Sequence, residues 1–180
     1  MASTWNIDIG HSAVHFAVRH MMFTKTRGRF TRWSGELKLD PSNHESSSVD
    51  VSIDASSIDT GDAQRDAHLR SPDFLDVEKH PTIRFQSTKV EDLGEGKRRV
   101  LGDLTIHGVT RPVALETEYA GQVKDPWGND RAGFTARATI DRTDFGLRWN
   151  MTLEAGGLVV GNKVEIELEV EAIAAAAKAA

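Results

Sequence analysis

Apolar residues fall on every second position through most of this chain. From Ser12 to His20, Val14, Phe16 and Val18 point one way and His15, Ala17 and Arg19 the other. A period of two with one apolar face predicts a half-buried strand. The same pattern makes Trp5–Asp8 a short first strand broken by Gly10. It puts Leu37 and Leu39 in phase within Phe30–Asp40 and aligns Val49, Val51, Ile53 and Ala55 in the next row. Phe30 and Trp33 are out of phase, which predicts a bulge near Thr31–Ser34. Lys25–Arg29, with Gly28, and Pro41–Ser48 read as loops.

The alternation returns at Ile83, Phe85 and Ser87, and at Leu104 and Ile106. It continues through Val113, Leu115, Thr117 and Tyr119, and through Phe134, Ala136, Ala138 and Ile140. Turns are expected at Glu91–Lys97, at His107-Gly108-Val109-Thr110 and at Asp125–Asn129. Asp141–Met151 reads as irregular. The last strand is the clearest: Val164, Ile166, Leu168 and Val170 against Glu165, Glu167, Glu169 and Glu171. Residues 1–173 read as one domain and 174–180 as an alanine-rich tail.

One long segment, Ser57–Pro81, does not alternate. It holds the densest mix of ionisable groups: Arg65, Asp66, His68, Arg70, Asp73, Asp76 and His80. Asp62 is placed to cap a short helix over Ala63–Arg70, with Ala67 and Leu69 near one face. Pro72 ends that helix and can open a second turn, with Ser71 as its cap.

About eight antiparallel strands without crossover helices must cover one apolar face, as a sandwich or a closed barrel. The hairpin connections favour an all-β barrel with a short helical insert. The inward rows are almost wholly apolar: Val14, Phe16 and Val18; Val51 and Ile53; Phe85; Leu104 and Ile106; Phe134; Ile166 and Leu168. A barrel of this size has either a filled interior or room for a ligand. Small residues on those rows, Ala55, Gly102, Ala136 and Ala138, are consistent with empty space, and an ordinary solid core stays equally open.

The net charge of −5, without a Lys/Arg run, argues against general nucleic-acid binding. The absence of cysteine excludes disulfides, thiol catalysis and Cys-ligated zinc. No membrane-spanning run and no basic, apolar leader is visible, so a soluble cytoplasmic protein is expected. His11 and His15 would lie about 13 Å apart along one strand face, too far for one ion. No metal site or cofactor is assigned. Asp141, Arg142 and Asp144 are expected to pin a loop through salt bridges.

Six motifs resemble the YceI-like family. They are W-N-I-D-x-G-H-S-x-V-H-F-x-V-R-H from Trp5, G-R-F from Gly28 and D-A-S-S-I-D-T-G-D-x-x-R-D-x-H-L-R-S-x-D-F-L-D from Asp54. H-P-T-I-R-F-Q-S from His80, G-D-L-T-I-H-G-V-T-R-P-V from Gly102 and I-D-R-T-D-F-G-L-R-W from Ile140 follow. The resemblance implies a lipocalin-like extended antiparallel barrel. It implies a pore that holds a polyisoprenoid, an isoprenoid quinone or a similar lipid for carriage or storage, without enzymatic activity. Phe74, Phe145, Leu147 and Trp149 then join the inward rows as pore lining, and Arg65 and His68 become the head-group contacts. Against this, Arg65, Asp66 and Asp73 could form ion pairs that tie the insert to the barrel. An enzyme acting on a bound amphiphile would use His68 with Asp66 or Asp73, and a solid-core interaction module would use the glutamate row of the last strand. Exposed strand edges and the resemblance admit a homodimer.

Overall fold

The computed structural model of this protein describes residues 1–176. The strands are β1 (Ser3–Ile7), β2 (Ala13–His20), β3 (Thr24–Phe30), β4 (Trp33–Leu39), β5 (Ser48–Asp54) and β6 (Ile58–Asp59). After helix α1 (Ala63–Arg70) come β7 (Thr82–Gly94), β8 (Lys97–Ile106), β9 (Val109–Lys124), β10 (Asp130–Asp141) and β11 (Val160–Ala174). All pair antiparallel in one sheet, and β1 joins both β4 and β11, which closes it.

Closure depends on β11 serving two partners along one edge. Its first part pairs with β2, from Val160↔His20 to Glu169↔Ala13, and its end pairs with β1, through Ala172↔Ile7 to Ala174↔Trp5. So β1 and β2 are one stave, interrupted by a 3-10 turn at Ile9–His11. β3 and β4 form another, broken at Thr31-Arg32, and β5 and β6 a third, broken by a 3-10 turn at Ala55–Ser57. With the five unbroken strands the barrel has eight staves.

The structure corrects several readings. Lys25–Arg29 is not a loop but most of β3, paired with β2 along its length. Its apolar signal is weak because the inward position at Gly28 is filled from the neighbouring strand: a Cβ there would meet the Phe16 ring at 2.4 Å. Gly102 likewise leaves no empty space, since its Cβ would fall 2.4 Å from the Phe85 ring and 2.7 Å from the Gln86 carbonyl. The expected bulge near Trp33 is a break between two strand segments. The turn after Pro72 is not helical, although the Ser71 hydroxyl accepts the Asp73 N–H as a cap would. Ala67 is exposed, and the buried residue of α1 is Asp66. Ala174 belongs to β11, and 177–180 lie outside the described residues.

Two apolar clusters fill the walls. One gathers Phe85, Leu104, Ile106, Phe145 and Leu147 near α1; the other gathers Trp5, Ile7, Leu37, Ala132 and Ala172 where β1 closes the barrel. The register places α1, the β2–β3 turn, the His107-Gly108 turn and the 142–159 connection at one end of the barrel, the helical end. Loop 40–47 and the turns at Glu95-Gly96 and Asp125–Asn129 mark the other, the hairpin end. Among the described residues, no helix is long and apolar enough to cross a membrane.

Candidate functional site

The inward rows enclose a cavity of about 780 Å³ that runs from one end of the barrel to the other. Alternation puts Val14, Phe16 and Val18 of β2, Val51 and Ile53 of β5, and Phe85 of β7 on its wall. Leu104 and Ile106 of β8, Phe134 of β10, and Ile166 and Leu168 of β11 complete it. Phe74, Leu147 and Trp149 close the helical end. Phe145 does not line the cavity. It is 1% exposed and packed in the wall, because the 3-10 turn over Arg142–Phe145 breaks the alternation with Leu147 and Trp149.

Arg65 and His68 both reach the cavity from α1. The Asp62 carboxylate caps the helix by accepting the Arg65 N–H at 3.0 Å. Arg65 then donates from Nε to Thr60 Oγ1 (2.7 Å) and from Nη2 to the Thr60 carbonyl (2.9 Å). Asp66 accepts from the same threonine, through its N–H and its hydroxyl. In place of the expected ion pairs, Arg65 and Asp66 are bonded to Thr60, and Asp73 is bonded to His68. Asp66 is committed to Thr60, so no His68–Asp66 pair forms. His68 Nε2 instead meets Asp73 Oδ2 at 2.8 Å. Its ring lies edge-on to Trp149 at 4.7 Å and to Phe74 at 5.1 Å. This aromatic cluster couples α1 to the 142–159 connection.

Arg142 is 4% exposed and, among the described residues, forms no salt bridge with a carboxylate. Its guanidinium donates to the carbonyls of Leu147, Trp149, Val160 and Gly161 and to Asn162 Oδ1. Burial pulls its pKa below the ordinary arginine value, opposed by the Asp141 charge. The loop is thus pinned by carbonyls rather than by the expected salt bridges.

Toward the hairpin end the cavity holds Arg98 and Tyr119, which the sequence reading missed as a site. The Arg98 guanidinium lies 5.4 Å from the Tyr119 ring centroid, and its buried Nε has no hydrogen-bond partner among the described residues. The signal was available: Arg98 continues the row of Leu104 and Ile106 backward by steps of two, past Val100. At the rim, Asp40 accepts from the Ser42 hydroxyl, from the amides of Ser42 and Asn43 and from the Ser46 hydroxyl. These bonds, the Ser42 hydroxyl first, hold its carboxyl down at about 2.

Among the described residues, two groups have the spacing to hold a metal ion: Asp76, His80 and His107, and Asp8, His11 and Glu171. The second already has its cation. Arg131 bonds Asp8, Asp125 and Glu171, and this network holds the Asp125 carboxyl well below the usual range. His11 sits in a 3-10 turn bonded to Asp8, away from His15 on β2.

The profile of the YceI-like domain matches residues 5–172. This chain belongs to the YceI-like family. A UPF0312 protein of Vibrio cholerae is 40% identical over 165 residues, spanning 91% of this chain and 82% of that protein. Among solved structures, Burkholderia cenocepacia BcnA superposes with a TM-score of 0.81 at 24% identity, covering 92% of this chain and 98% of BcnA. A polyisoprenoid binding domain from Saccharophagus degradans gives 0.69 at 16% identity, covering 97% and 100%. These two share its fold.

Proposed function

We propose that this YceI-like protein binds a long hydrophobic amphiphile in its barrel, a polyisoprenoid, an isoprenoid quinone or a similar lipid, for carriage or storage and without catalysis. The observation that carries the reading is one apolar cavity continuous along the barrel. β11 alone has 15 residues, about 50 Å of strand, so the wall is long enough for an extended tail. Each methylene removed from water contributes ~0.8 kcal/mol before ordering costs. Tens of such groups bind well without many polar contacts, and discriminate weakly among tails. The S. degradans domain, described as polyisoprenoid binding, shares this fold.

The head group is assigned to the helical end. Arg65 there spends two donors on Thr60, and a planar guanidinium has five. His68 stands beside it, oriented by Asp73. Mass spectrometry of an organic extract of the purified protein, with native mass spectrometry of the intact chain, tests the reading. A stoichiometric isoprenoid, quinone or fatty amide is expected. Protein free of adduct, and unable to take up added polyprenol, overturns it.

A further inference from the structure

A lipid carrier must meet the surface that supplies its cargo, and one patch of this molecule has the composition for it. The β2–β3 turn exposes Met22 (65%) and Phe23 (83%), with Met21 partly exposed. The 150–159 segment lies against it: the Met21 N–H donates to the Val159 carbonyl at 2.8 Å, and the Met22 sulfur packs on Gly157. That segment adds exposed Met151 and Leu158. Met21 and Met22 have φ of 49° and 65°, a turn geometry that favours Asn and Gly. Methionine at both positions sets apolar side chains at the tip despite that preference.

Two features indicate what this tip meets. It is continuous with the cavity, since its neighbours His20, Trp149 and Val159 are cavity walls. It also wears a basic collar in a protein of net charge −5. Arg19, Lys25, Arg27 and Lys163 occupy the first rungs below the tip, with Lys25 paired to Glu165, and the acidic groups near them are Asp141 on β10 and Glu154 in the 150–159 segment. The exposed Trp127 at the hairpin end stands instead beside two closed ion pairs, Asp125 with Arg131 and Asp130 with Lys124. We propose that Met21–Phe23, Met151 and Leu158 dock the helical end of the barrel onto an anionic lipid bilayer, bringing the cavity mouth to the membrane. Apolar side chains entering the interface, ringed by cations, are what such a surface binds. The inference rests on the carrier reading for its purpose, not for its test.

Vesicle flotation provides that test, using the untagged chain with phosphatidylcholine alone and with phosphatidylcholine mixed with phosphatidylglycerol. The wild type is expected to float with the mixed vesicles and to lose binding as salt rises. The double variant Met22→Ser/Phe23→Ser is expected to bind about tenfold more weakly. Arg27→Glu/Lys163→Glu is expected to lose the preference for anionic vesicles. Uptake of a fluorescent polyprenol from detergent should be unchanged in both. Failed uptake with flotation retained refutes the carrier reading and leaves docking standing. Docking is overturned if the wild type does not float, or if the variants float equally. It is also overturned if light scattering shows the tip joining two copies of the chain without vesicle binding.

Discussion

At the scale of single residues, the cavity is shaped by which side chains overlie glycine. Phe16 pairs across the ladder with Gly28 on one side and with Ile166 on the other. The Phe16 ring already occupies the space where a Gly28 side chain would stand, so this rung has no spare volume on the β3 side. Added bulk at Ile166 must enter the cavity. Ile166→Trp is therefore expected to abolish polyprenol uptake while costing less than about 3 kcal/mol of stability, the usual range for overpacking. Uptake titrations and urea unfolding, run side by side, check both halves. Retained uptake would mean that the tail does not pass this rung. Alternation made Phe16 and Ile166 legible as inward residues. It could not show that Gly28 and Gly102 are covered, because that depends on which strand lies alongside.

At the scale of elements, the 142–159 connection holds its shape through one buried cation. Arg142 gathers the carbonyls of Leu147 and Trp149 in the connection and of Val160 and Gly161 at the start of β11, and Trp149 at its rim meets His68 edge-on. Arg142→Met keeps the bulk but takes that donor from the Leu147, Trp149 and Gly161 carbonyls, while the Val160 carbonyl still accepts from Asn150 Nδ2. A buried acceptor left unsatisfied costs about 1–3 kcal/mol. The expected result is a destabilised chain in which amide exchange rises first between Leu147 and Val160, before the ladder of β7 and β8. Uniform loss of protection would assign Arg142 to the global core instead. The helix was easier to read. Asp62 three residues ahead of Arg65 is a local cap signal, and the cap bond forms. The ties of Arg65 and Asp66 to Thr60 carried no comparable signal, since charges close in sequence suggest ion pairs as readily as bonds to a nearby threonine.

For the whole molecule, acid should act through carboxylates that the fold holds ionised. Asp8, Asp40, Asp50, Asp54, Asp125, Asp141 and Glu165 are all shifted downward by hydrogen bonds and cations. A carboxyl with a lowered folded pKa binds fewer protons folded than unfolded, so its contribution is complete above the ordinary carboxylate range. That contribution fades as pH falls from about 4. For Asp40 it is lost on passing its folded value of about 2. The melting temperature is expected to hold level from neutrality to about pH 5 and then drop steeply. Asp40→Asn should shallow the drop. An unchanged slope in that variant would show that loop 40–47 does not report on global stability.

Much of this protein follows from the sequence by itself. A period of two identifies a strand and sorts its residues into two faces, wherever one face meets a core and the other meets water. That suffices for the all-β class, for most of the apolar lining and for the helical insert that interrupts the pattern. Periodicity reports faces and not partners, and the partners were decided only in three dimensions. The double pairing of β11 with β1 and β2 turns eleven segments into eight closed staves. Polar β3 is a strand because β2 pairs with it and Phe16 covers its glycine. The two halves of the apolar tip meet only because the β2–β3 turn and the 150–159 segment, far apart in the chain, are hydrogen-bonded at one end of the barrel.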